Sequence, residues 1–318
     1  MIAALVLAAL VAAASPTPSP ERRFVDRPVR ENALVGEFSA PADGGRHPAL
    51  IVLGGFEGDV VPGEAYGLAL QGYSAFAVAY FGKSPLPNAA DKVPVETVSR
   101  AIDWLRAQPE VDPAHIGIVG ISQGSALALL AAGRDPRIRA VAVISPSAYV
   151  WFAPAFDNAP DRSSWSENNG PLPFIGPDRH AEDKLGEVYR SGGTYAFRDL
   201  YDASLAAASR ATVASATIPV ERIGVPVLCV AGDDDRQWDS AGACKTIAAR
   251  RRGSAGAASD EVVIEPGAGH ASTLGGRPTA DVISAGKMSI RLGGSTPANS
   301  RAAADTWART LTFFGRTL

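Results

Sequence analysis

Cysteine is nearly absent from this chain: Cys229 and Cys244 are the only two in 318 residues. Histidine is scarce too, with four residues spread from His47 to His270. Neither number nor spacing makes a metal-ligand set, so no metal cofactor is expected. An excess of charge is also missing. The 30 Lys and Arg stand against 33 Asp and Glu, a formal net charge of −3. That removes the electrostatic ground for binding nucleic acid or an anionic membrane surface. The apolar run at residues 2–14 (IAALVLAALVAAA) is too short to cross a bilayer comfortably. It ends in Ala12-Ala13-Ala14, an Ala-x-Ala-type cleavage signal, and Ser-Pro-Thr-Pro-Ser-Pro follows. Residues 1–14 therefore read as a secretory signal peptide and 15–23 as a disordered tether. The Lys or Arg that usually precedes such a run is lacking, which leaves open a start further upstream or an uncleaved anchor. Export to the medium, periplasm or cell envelope is the expectation, and the cytoplasm the alternative if the segment is not a working signal.

Nucleotide-binding loops are missing as well. Gly82-Lys83-Ser84 ends like a phosphate-binding loop, but Ala77 stands where that motif requires glycine, and Pro85 and Pro87 fall where its helix should begin. The stretch Gly54–Gly58 lacks the Gly-x-Gly-x-x-Gly spacing. No organic cofactor is expected.

What the chain does have is a strand–helix rhythm. Leu34 to Ser39 reads as an edge strand, and Ala49 to Leu53 as a buried strand ending in Gly54-Gly55. A short helix over Ala65 to Gln71 stops at Gly72, and the next strand spans Tyr73 to Tyr80. Val95, Val98, Ile102 and Leu105 recur at helical spacing before Pro109. Ile116 to Gly120 and Ala140 to Ile144 are further strands. Continuous apolar runs alternating with helices predict an α/β protein with a mostly parallel sheet covered on both faces. From Ser147 to about Ser215 no clear strand is visible, and that segment is too long for an ordinary loop. It reads as a cap inserted at about 147–215 within one domain spanning 24–318. The rhythm resumes with Val225 to Ala231, a helix around Ser240 to Arg251, the strand Glu261 to Ile264, and a final helix from about Ala298 to Phe314. Arg250-Arg251-Arg252 reads as the solvated last turn of a helix. Cys229 lies inside Val-Leu-Cys-Val, where a buried free thiol is the expected state; export would permit a disulfide to Cys244.

Residues 116–130 carry the chemistry. An apolar strand runs into Gly120-Ile121-Ser122-Gln123-Gly124 and then an Ala/Leu helix. This strand–turn–helix order is what exposes a serine nucleophile, with the Gln123 amide at the positive end of the helix as an oxyanion donor. The base should come from a loop at the same sheet edge, and His270, after the last strand in Glu-Pro-Gly-Ala-Gly-His, is the candidate. Asp233, Asp234 and Asp235 at the end of Val-Leu-Cys-Val-Ala-Gly all qualify as the orienting acid. The backbone N–H of Phe56, in Gly54-Gly55-Phe56-Glu57-Gly58, suits a second oxyanion donor. Tyr149, Trp151, Phe152, Trp165 and Phe174 in the cap suggest an apolar acyl pocket.

LGGFEGD at 53–59, AYFGKSPLP at 79–87, IGIVGISQGSALALLAA at 116–132, GPLPF at 170–174, IPVERIGVPVLCVAGDDDRQW at 218–238, GAGH at 267–270 and GGSTPANSRAAADTW at 293–307 occur in this order. Together they resemble the C-terminal catalytic domain shared by acyl-CoA thioesterases and bile acid-CoA:amino acid N-acyltransferases, an α/β-hydrolase branch close to the dienelactone hydrolases. The resemblance runs from Ala49 to Phe314. It implies an α/β-hydrolase fold and a triad of Ser122, Asp235 and His270; Asp235 fits the family's Gly-x-x-Asp spacing from Gly232, with Asp234 second. The N-acyltransferase branch uses cysteine as nucleophile, so Ser122 favours water as acyl acceptor. The stretch ahead of Ala49 is too short for the N-terminal β-sandwich that thioesterase members usually carry, and an exported enzyme would meet little acyl-CoA. The reading is a serine hydrolase of a small-molecule ester or thioester. Transfer of the acyl group to an amine or alcohol, or a catalytically silent binding protein, are the alternatives.

Overall fold

Side chains that are apolar without alternation can be buried on both faces of a sheet, and the strands that carry them lie in the middle of this fold. The computed structural model describes residues 24–153, 161–270 and 280–318. The expected signal peptide and tether, and residues 154–160 of the expected cap, lie outside them. The first part of the chain forms β1 (Phe24–Glu31), β2 (Leu34–Pro41), β3 (His47–Leu53), α1 (Pro62–Ala69) and β4 (Ser74–Ala79). It continues with β5 (Val93–Pro94), α2 (Glu96–Arg106), β6 (Val111–Ile121), α3 (Gln123–Ala132) and β7 (Ile138–Ile144). Next come β8 (Trp165–Glu167), β9 (Gly170–Pro171), α4 (Arg179–Ser191), β10 (Thr194–Tyr195), α5 (Phe197–Ala207) and α6 (Arg210–Ala216). The last part holds β11 (Val227–Gly232), α7 (Ser240–Arg251), β12 (Glu261–Glu265), β13 (Val282–Ala285), β14 (Met288–Arg291) and α8 (Thr296–Thr317).

Eight strands pair in the order β1-β2-β4-β3-β6-β7-β11-β12. Pairing is parallel from β4 through β12, and antiparallel only where β2 meets β1 and β4. Successive residues of β3 face opposite layers. Ile51 packs with Ile102 of α2, Leu127 of α3 and Ile247 of α7, whereas Leu50 and Val52 pack with Leu68 of α1 and Phe313 of α8. The fold is thus three layers, with the carboxyl ends of β3, β4, β6, β7, β11 and β12 opening at one edge of the sheet. Leu34 to Ser39 is not the edge strand expected: β1 covers it. The segment expected to lack strands holds three short ones. Two or three residues each, in β8, β9 and β10, are too few for periodicity to register.

Two expectations fail for physical reasons. Cys229 and Cys244 form a disulfide, not free thiols, with Cα atoms 5.7 Å apart; α7 folds back on β11 and brings them within bridging distance. Arg251 is not solvated but fully buried. Its guanidinium donates to both carboxylate oxygens of Asp260, at 2.7 and 2.9 Å, and to the carbonyls of Val220, Ile223 and Val225 at 2.7–3.1 Å. Those carbonyls belong to the turn that feeds β11, so one cation satisfies a helix end and a strand entry together.

Three outcomes follow from these contacts. Arg251→Ala breaks the buried Asp260 ion pair and removes a donor from three carbonyls, and is expected to lower unfolding free energy by about 3–5 kcal/mol in chemical denaturation. Replacing both cysteines by alanine frees a loop of 15 residues and should cost about 3 kcal/mol by the same measurement. Burial, with Asp305 beside it, pushes the Glu265 carboxyl up to about 7 from 4.5. The native state therefore holds a proton there that the unfolded state has lost, so this residue's contribution to stability falls as pH rises between those values. In thermal melts across pH 5 to 8, Glu265→Gln should flatten that fall.

Candidate active site

Ser122 sits where β6 breaks sharply into α3, at φ 56° and ψ −121°. For a non-glycine residue this conformation costs on the order of 1–3 kcal/mol, and the neighbours impose it. The Ser122 amide donates to Ile144 O at 2.8 Å, and the Ser125 hydroxyl bonds Gly120 O and Ile144 O at 2.7 and 3.0 Å. The turn needs its glycines for space. A Cβ on Gly120 would collide with the Gly124 carbonyl, and one on Gly124 with the Gly54 carbonyl.

The serine hydroxyl lies 2.7 Å from His270 Nε2, and His270 Nδ1 lies 2.8 Å from Asp235 Oδ2. A carboxylate can only accept, so Nδ1 carries the proton and Nε2 turns its lone pair toward Ser122. Asp235 is 1% exposed. Its oxygens also accept from the Gln237 and Trp238 amides at 2.7 and 3.3 Å and from the Ser240 hydroxyl at 2.6 Å. These donors hold the buried carboxylate in one orientation.

The run of three aspartates is resolved by giving each its own donors. Asp233 accepts from the Gly267 amide at 2.6 Å. Asp234 accepts from the Gly294 amide at 2.8 Å and pairs with Arg236. Asp235 alone meets the histidine. The His270 loop is braced from two further elements: the Leu292 carbonyl accepts from the His270 and Arg236 amides at 2.9 and 3.1 Å. Asn299, fully buried at the start of α8, accepts from the Gly269 amide at 2.8 Å and donates to Gly293 O at 3.1 Å. Neither Ser240 nor Asn299 was legible from chemistry-bearing motifs, because each acts on backbone or carboxylate rather than on a reacting atom. The remaining histidines lie elsewhere; His47 and His115 pair with the nearby Asp43 and Asp112.

Gln123 opens α3, so its amide precedes the helix's own hydrogen-bond ladder. The glycine loop after β3 runs beside the serine, since a Cβ on Gly55 would stand 3.6 Å from Ser122 Oγ. Tyr80 donates to the Gly54 and Gly55 carbonyls at 2.9 and 2.5 Å, fixing that loop by its acceptors. Phe56 follows in it with its side chain 52% exposed. Over Ser122 lies a pocket walled by Tyr149, Trp151, Phe152, Trp165, Tyr201 and Trp238. Phe174, expected in that wall, packs instead among the partly buried residues behind it. Tyr201 and Trp238 were not anticipated; the Trp238 ring stands edge-on to His270 at 4.9 Å. Among the described residues, no group of three or more His, Cys, Asp or Glu is placed to hold a metal ion, and no helix is long and apolar enough to cross a membrane.

The family model "BAAT / Acyl-CoA thioester hydrolase C terminal" matches residues 93–318. The mitochondrial acyl-coenzyme A thioesterase 2 of Mus musculus is 28% identical over 299 residues, covering 92% of this chain and 60% of its own length. Acyl-coenzyme A thioesterase 1 of Rattus norvegicus is 27% identical, with 92% and 65% covered. The chain thus spans less than two thirds of these curated relatives. Among solved structures, a dienelactone hydrolase-like promiscuous phosphotriesterase from metagenomic libraries aligns with a TM-score of 0.51 at 19% identity, over 92% of this chain and 98% of that one. The α/β hydrolase GrgF from Penicillium sp. sh18 aligns at 0.53 and 14% identity, over 93% and 98%. At such identities these structures speak for the fold. With well over half of its residues matched by the family model, this chain belongs to the BAAT / acyl-CoA thioester hydrolase C-terminal family and carries it on an α/β-hydrolase fold.

Proposed function

We propose that this chain is a serine hydrolase that cleaves an ester or thioester through an acyl-enzyme on Ser122. The observation that carries the reading is the unbroken hydrogen-bonded relay from Ser122 Oγ through His270 to buried Asp235 at one sheet edge. In the first half-reaction Ser122 Oγ attacks the substrate carbonyl while His270 Nε2 takes its proton. Asp235 stabilises the resulting imidazolium and holds its tautomer. The oxyanion meets the amides of Gln123 and Phe56, aided by the positive end of α3. His270 then passes its proton to the departing alcohol or thiol. In the second half-reaction a water molecule gives its proton to Nε2 and attacks the acyl carbon, and Ser122 leaves with that proton restored.

The relatives are acyl-coenzyme A thioesterases by name, which supports a thioester as one substrate class. The Cys229–Cys244 disulfide supports an exported chain, since such bonds persist in oxidising compartments. The aromatic segment between β7 and β11 supplies much of the wall over Ser122 and is read as the cap.

A fluorophosphonate probe, whose fluoride is displaced by an activated serine, tests the reading directly. Ser122 should be the labelled residue, and Ser122→Ala or His270→Ala should abolish labelling. Asp235→Asn should lower kcat on p-nitrophenyl acetate by roughly 10⁴-fold, because the amide favours the wrong imidazole tautomer. Labelling that persists unchanged in His270→Ala would overturn the proposed base.

A further inference from the structure

The cavity over Ser122 is narrow, about 20 Å³. Behind four of its rings, Tyr149, Trp151, Tyr201 and Trp238, lies a second cavity of about 120 Å³ that reaches the first turns of α7 at Gly242 and Thr246. The partition between the two is built of aromatic rings in mutual contact. Trp151 and Tyr201 have centroids 4.7 Å apart, and Tyr201 in turn meets Phe152 at 5.7 Å and Trp238 at 5.5 Å.

Hydrogen bonds pin this partition. The Trp151 indole N–H donates to Ser147 Oγ at 2.7 Å. That of Trp238 is shared between the Ser145 and Pro146 carbonyls at 3.1 and 3.0 Å. Backbone bridges join Trp151 to Ile175 and Phe152 to Ser163. Rings so interlocked do not make space by a single rotamer change, and enlarging the pocket would force several off their packing together.

A substrate must place its acyl part on one side of Ser122 and its leaving group on the other. Coenzyme A or a bulky alcohol is far too large for this enclosure, so the enclosure takes the acyl part, which also stays bound during the acyl-enzyme stage. We infer that the site is specific for esters and thioesters of short acyl groups, a few carbons long, and that Trp151 and Tyr201 set the limit by closing off the second cavity. This deepens, and rests on, the serine-hydrolase reading above.

The test is kcat/KM for p-nitrophenyl esters from acetate to dodecanoate, with matching acyl-CoAs alongside, on the full chain and on Trp151→Ala and Tyr201→Ala. Overfilling a narrow apolar pocket costs on the order of tenfold or more. Wild type should therefore lose at least about tenfold between butyrate and octanoate. Opening the partition should raise the octanoate-to-acetate ratio by a similar factor in either variant, its folding checked by thermal melt. Octanoate hydrolysed as well as acetate by the wild type would overturn the inference while leaving the hydrolase reading intact. So would an unchanged ratio in a folded variant; if one variant does not fold, the other and the wild-type profile decide. No turnover of any ester, together with an unlabelled Ser122, would sink both.

Discussion

Backbone packed against backbone, where Gly124 meets the Gly54 carbonyl, is the constraint on which the rest of the site depends. It joins the serine turn to the glycine loop after β3 with no side chain between them. Ser122, at the apex of that turn, takes a positive φ of 56°. The loop that runs beside the serine is fixed by the same contact. A larger residue at position 124 would displace both Ser122 and the glycine loop beside it. The strain at Ser122 is compensated by the bonds that surround it: Ile144 O accepts from the Ser122 amide and from the Ser125 hydroxyl. The neighbouring strand β7 thus holds the serine turn directly.

Much of this was legible in the sequence, and for identifiable reasons. Continuous apolar runs revealed the central strands, and α7 falls on the residues expected. The family resemblance is borne out by the match over residues 93–318. Ser122 stood out because a strand, two glycines and a helix follow one another around it, and it does sit at that turn. His270 stood out because few histidines compete with it, and its ring does meet Ser122 and Asp235. Three adjacent aspartates left the acid open until the family spacing favoured Asp235. In the fold the choice rests on donors spread over Gly267, Gly294 and His270.

What was not legible depended on partners remote in sequence. Arg251 looks like any arginine at a helix end until the carbonyls of the turn at Val220–Arg222 and beyond close around it. The disulfide needed α7 to fold back on β11. β1, β13 and β14 gave no signal strong enough to place, since exposed or short strands alternate little. Phe174 and Tyr201 exchanged roles because a segment rich in aromatics does not reveal which ring faces the cavity and which supports it.

His270 stands on the loop that follows β12, the strand at one margin of the eight-stranded sheet. An edge strand has a neighbour on one side only, so its ladder opens at lower free energy than that of a central strand. Asn299 and Leu292 compensate by clasping the loop from α8 and from the end of the β13–β14 hairpin. In the proposed mechanism, the fraction of molecules with His270 in place is therefore governed by how often this margin of the sheet opens. Ser122 and His270 belong to different stability regimes, one locked at the centre of the fold and the other held at its border by α8.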